Sequence, residues 1–71
     1  MDKALLKKLA KRIKELRKIS GYSQDDLSVY SGISRSMIGN IETAQNDIVL
    51  SKLNKIAKSF NISLAELLDF E

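Results

Sequence analysis

Apolar residues recur at helical spacing in five stretches of this 71-residue chain, each bounded by residues that start or stop helices. Leu6, Leu9, Ile13 and Leu16 form the first stripe, with Leu5 and Ile19 at its edges, between Asp2 and about Ile19. Asp2 complements the dipole of that helix, and Ser20-Gly21 ends it, glycine suiting the left-handed backbone beyond a helix C-terminus. Ser23-Gln24-Asp25-Asp26 has the form of a capping box and opens a second helix that stops at Gly32. Ser34 caps a third helix, which buries Ile38 and Ile41 and exposes Arg35, Ser36, Gly39, Asn40 and Thr43. A polar loop over residues 44–49 leads to the fourth helix, with Asp47 as the expected cap and Ile48 or Val49 opening it. Leu50, Leu53, Ile56, Ala57 and Phe60 make its stripe, and Asn61 fits its C-terminal end. Ser63-Leu64-Ala65-Glu66 caps a short fifth helix carrying Leu64, Leu67, Leu68 and Phe70. Five helices with no strand signal predict an all-α fold in a single domain over residues 1–71.

Residues 24–43 organise the rest. Leu27 and Ser31 fall on the inner face of the second helix, Ile38 and Ile41 on that of the third, and Ile33 closes the corner at Gly32. Two short helices joined at a glycine form the pattern of a DNA-binding helix-turn-helix. Gly39 stands out in the third helix, where glycine costs about 1 kcal/mol relative to alanine. It reads either as a tolerated surface glycine or as a point of close approach to something outside the protein.

Charge sharpens this picture. Residues 1–20 carry eight Lys or Arg against Asp2 and Glu15, whereas the remainder carries four against seven acidic residues. A basic end on a weakly acidic body suits a polyanion, or is simply the solvated face of the first helix. The chain lacks both cysteine and histidine. That removes thiol chemistry, disulfides and the commonest general base, so no enzymatic activity, metal or other cofactor is expected. No apolar run approaches the roughly 20 residues of a membrane span, so the expectation is a cytoplasmic protein.

In this order the motifs Ile13-x-x-Leu16-Arg17, Ser23-Gln24-x-x-Leu27, Gly32-Ile33-Ser34-Arg35-Ser36, Ile38 and Ile41-Glu42 resemble the lambda-repressor-like (Cro/XRE) helix-turn-helix family. Leu53-x-x-Ile56-Ala57-x-x-Phe60-x-Ile62 and Leu64-x-x-Leu67-Leu68 extend the likeness to nearly the whole chain. Arg35-Ser36, Gly39 and the proline-free Asp47-Ile48-Val49-Leu50 run are most similar to the controller proteins of restriction-modification systems. The resemblance implies a homodimeric transcriptional regulator on a palindromic operator in double-stranded DNA, acting by promoter occupation or by contact with RNA polymerase. An antitoxin or phage-type repressor shares the fold, and a helical protein-binding adaptor is the reading from another class.

Arg35 would then pair with guanine and Ser36 with a neighbouring base, Asn40 would pair with adenine or reach a phosphate, and Gly39 would let the helix lie close to the groove wall or to a thymine methyl. Gln24, Ser34, Thr43 and Asn46 complete the DNA-facing set, with Gln24, Thr43 and Asn46 directed at phosphate. By resemblance Arg17 and Glu42 form a structural ion pair, the alternative being that Arg17 contacts DNA. Leu64, Leu67, Leu68 and Phe70 either close the core or form the dimer interface. The family usually has alanine at Ser28, a small apolar residue at Ser31, and a basic residue and glycine where Thr43 and Ala44 stand. Controller proteins tend to have arginine at Asn46. Losing those cations implies weaker or relocated phosphate contacts.

Overall fold

The computed structural model describes residues 2–70. All its regular elements are α-helices: α1 (Lys3–Ile19), α2 (Gln24–Ser31), α3 (Arg35–Glu42), α4 (Leu50–Ser59) and α5 (Leu64–Leu67). Side chains set four of the five starts. The Asp2 carboxylate accepts from the Leu5 N–H at 2.8 Å, and the Ser34 hydroxyl accepts from Met37 at 3.2 Å. Ser23 with Asp26, and Ser63 with Glu66, form full capping boxes. Each such cap contributes about 1 kcal/mol, which matters for helices of only one or two turns.

The fourth start differs from the expectation. Val49, not Asp47, is the N-cap; no side chain caps the helix, and the helix opens at Leu50. Ile48 is buried with the core, and Val49 is extended at φ −73° and ψ 150°. Burial of Ile48 thus holds the approach to α4 out of helical conformation. Leu50, expected on the buried stripe, is 64% exposed as a result.

Three helix ends close in one way. Tyr22 donates its N–H to the Arg17 carbonyl, Gln45 to Asn40 and Ile62 to Ala57, each skipping back five residues. The residue before each donor is left-handed: Gly21 at φ 75°, Ala44 at 56° and Asn61 at 59°. Glycine adopts that region freely and asparagine tolerates it, while alanine meets a steric cost of about 1 kcal/mol.

Leu9, Ile13, Leu27, Ile33, Ile38, Ile41, Ile48, Leu53, Ile56, Ala57 and Leu67 form one buried cluster, flanked by Leu16, Met37, Phe60, Ile62, Leu64 and Phe70. α2 packs on α3 and α4, α4 on α5, and α1 on α3. Arg12 joins the ends of the chain by donating to the carbonyls of Glu66 (2.9 Å) and Leu67 (3.4 Å), the open C-terminal end of α5. Tyr22 stacks on Phe60 at 6.0 Å and lies 4.9 Å from the Tyr30 ring, pinning the α1–α2 link to the end of α4.

The expected dimer-interface set divides on burial. Leu67 is fully buried within the chain and belongs to the core, because α5 lays it against α4. Leu64 and Phe70 are half-buried against the same cluster, and Leu68 is the most accessible of the four at 39%.

Candidate nucleic-acid interface

The turn between α2 and α3 is closed by its own serines. Gly32 takes φ 73°, which reverses the chain after Ser31. Ile33 then plugs the corner with its side chain buried, and both of its backbone groups find side-chain partners. The Ser28 hydroxyl donates to the Ile33 carbonyl at 2.6 Å, and the Ile33 N–H donates to Ser31 Oγ at 3.2 Å. Ser28 and Ser31 therefore satisfy the backbone groups on both sides of buried Ile33. An apolar pair would leave those groups to other partners.

Behind α3 lies a buried polar network centred on Glu42. Arg17 Nε donates to Glu42 Oε2 at 2.7 Å and Nη2 to Oε1 at 3.1 Å, a two-point geometry that fixes the guanidinium plane. Arg17 Nη1 donates to the Tyr22 carbonyl at 2.8 Å. All three nitrogens of Arg17 are therefore engaged inside the protein, which removes it from the candidate DNA contacts. Gln24 Nε2 donates to Glu42 Oε1 at 2.9 Å, so α1, α2 and α3 meet on one carboxylate. The side chains are only 14% and 2% exposed for Arg17 and Glu42 respectively. Gln24, expected at phosphate, turns this amide N–H inward. Its place in the network was not legible in sequence, because its partner lies 18 residues away.

The outer face of α3 carries the expected reading residues. Arg35 and Ser36 are exposed on the first turn, Gly39 and Asn40 half-buried on the second, and Asn46 exposed in the following loop. Ser34 is occupied as the cap. Thr43 is exposed, but its hydroxyl donates back to the carbonyls of Gly39 (2.9 Å) and Asn40 (3.3 Å). As it stands, Thr43 can offer an outside group acceptor lone pairs rather than its proton.

Arg35 has neighbours that sequence reasoning missed. Its Nε lies 3.3 Å from Asp25 Oδ1 on α2, and a Cβ placed on Gly39 would come within 3.2 Å of its Nη1. Gly39 thus leaves room for the Arg35 guanidinium four residues back on the same helix, a role neither sequence reading supplied. With Asp25 beside Nε, the Nη1–Nη2 edge is the one left to donate outward. That edge can give a bidentate pair to guanine O6 and N7.

The model of the helix-turn-helix family matches residues 13–67. Among curated proteins, Control protein C.SmaI of Serratia marcescens is 37% identical over 60 residues, covering 84% of this chain and 71% of that protein. The chain belongs to the helix-turn-helix family, among the restriction-modification controller proteins. Two solved structures agree in shape and length. The controller protein C.AhdI from Aeromonas hydrophila superposes with a TM-score of 0.87 at 38% identity, covering 90% of this chain and 97% of that one. The controller protein C.Esp1396I, solved as a tetramer in complex with its natural 35 base-pair operator, gives 0.81 at 31% identity, covering 90% and 88%. Among the described residues no helix is long and apolar enough to cross a membrane.

Proposed function

We propose that this controller protein binds a palindromic operator as a homodimer, with the first turn of α3 in the major groove. The observation that carries the reading is the pairing of exposed Arg35 and Ser36 with a rigid base: α3 is anchored through Glu42 to both other helices of the site. Arg35 reads guanine, Ser36 and Asn40 read the adjacent bases, and Asn46 reaches phosphate beyond the end of α3. Gln24 acts chiefly through Glu42, by fixing the angle between α2 and α3.

Dimerisation through the end of α4 and α5 would set two recognition helices about 34 Å apart, one turn of duplex. Leu68 supplies the exposed centre of that surface, while Leu64 and Phe70 add their uncovered edges. That C.Esp1396I was solved as a tetramer in complex with its operator supports the binding of more than one chain to the DNA. Regulation then follows from occupying a promoter or from contacting RNA polymerase beside it.

Selection of duplexes from a random library with the purified protein tests the reading. The expected product is an inverted repeat bound by two chains; a single half-site bound by one chain would refute the dimer. Leu68→Asp should halve the sedimenting mass while leaving helicity intact. Unaltered mass would remove α5 from the interface.

A further inference from the structure

We propose that the groove between α1 and the end of α3 is a second DNA-backbone site, taking phosphates that flank the bases read by Arg35. This rests on the operator-binding reading above. The groove measures about 380 Å³ and is lined by Lys7, Lys11, Lys14 and Lys18 of α1 and by Thr43 and Ala44 beyond α3. Spacings of four, three and four residues put the lysines on one face of α1. The row is about 16 Å long, against about 3.4 Å of duplex axis per phosphate on one strand, so it can meet several phosphates at once.

Charge at the groove points the same way. Two carboxylates also line it, Glu15 and Glu42. Glu42 is held by Arg17 at two points, which leaves four ammonium groups against Glu15. Like charges three and four residues apart repel on a helix, and Glu15, spaced to meet Lys11 and Lys18, offsets only part of this, so a polyanion lying along the row would relieve the remainder. Arg17 cannot serve, since its nitrogens are engaged by Glu42 and Tyr22. The groove adjoins Thr43 and Ala44, so a duplex lying along α3 carries its outer strand towards these lysines.

The test compares two variants that each lose four positive charges. One is K7Q/K11Q/K14Q/K18Q; the other is K3Q/K8Q/K52Q/K55Q, whose lysines lie outside this groove. Binding to the duplex selected by the wild-type protein is measured across a salt series. The groove variant should flatten the slope of log K against log salt by about 2 to 3 per chain, or about 4 to 6 for the two-chain complex, at about 0.9 per lost phosphate contact. The control variant should flatten it by less than about 1. Hydroxyl-radical footprints should shorten at both outer edges of the operator for the groove variant alone. The charge-preserving K7R/K11R/K14R/K18R should keep slope and footprint. Equal slopes for the two glutamine variants, or an unchanged footprint, would overturn the groove and leave operator binding standing. Failure of the wild-type protein to select any duplex would overturn the reading beneath it. Should the quadruple variant lose helicity, Lys14→Gln and Lys18→Gln singly carry the same comparison, each with an expected slope change of about 1 per chain, or about 2 for the two-chain complex.

Discussion

Two arginine–carboxylate pairs stand at opposite ends of the recognition helix, Arg17–Glu42 behind its last turn and Arg35–Asp25 beside its first. The first is 2.7 Å long, made at two points, with side chains 14% and 2% exposed. The second is 3.3 Å long, with side chains 51% and 82% exposed. In water an ion pair is replaceable, because solvent offers each charge an equivalent partner. Inside the protein it is not, since removing one partner strands the other in a medium that solvates charge poorly. The same chemistry therefore fixes structure at one end of α3 and leaves the guanidinium at the other end free to exchange Asp25 for another acceptor, a DNA base in the function proposed above.

Substitutions can separate the two ends. Glu42→Ala should destabilise the fold by about 3–5 kcal/mol, by leaving Arg17 and Gln24 without their shared acceptor. A domain of this size has only about 4–10 kcal/mol in total, so urea unfolding should show most of its stability gone. A loss below about 1 kcal/mol would mean the network is as replaceable as the exposed pair. Arg35→Ala should do the converse. Its unfolding midpoint stays within about 0.5 kcal/mol of wild type. Its preference for the selected operator over the guanine-substituted duplex drops by about 1–3 kcal/mol in competition binding.

Ala44→Gly, immediately beyond the Glu42 end, should stabilise by up to about 1 kcal/mol, by relieving the left-handed alanine, without altering operator preference. The smallest effect on stability belongs to Asp25→Asn, at most about 0.5 kcal/mol. Non-specific DNA binding should rise slightly as a carboxylate leaves the DNA face. A stability loss from Asp25→Asn matching that of Glu42→Ala would erase the contrast between the pairs.

Local chemistry was legible in sequence, and chemistry between distant residues was not. Ser23, Ser34 and Ser63 cap helices through partners three residues on, so their roles follow from spacing alone; Asp2, expected only to complement the dipole of α1, caps it in the same way. Asp47 looked like a cap by the same reasoning, but burial of Ile48 moved the helix start to Leu50. Leu67 and Leu68 are adjacent and identical in type, yet one is core and the other surface; only the docking of α5 decides which. Arg12 reads as one cation among many until the fold brings it to carbonyls more than fifty residues away. Ser28 and Ser31 looked like departures from a pattern, and the structure makes them the two clasps of the turn.

Those clasps carry a consequence for altering what the protein recognises. Because Ser28 and Ser31 both hold Ile33, the bend between α2 and α3 is secured by residues that face away from the DNA. Positions 35, 36 and 40 can then be rewritten as a cassette, with the scaffold left as it is. Position 39 is coupled to position 35, because a Cβ there would come within 3.2 Å of Arg35 Nη1, the end of a flexible and half-exposed side chain that must then shift. A library that varies 35 and 39 together should therefore yield more sequence-selective members than one that varies 39 with Arg35 kept.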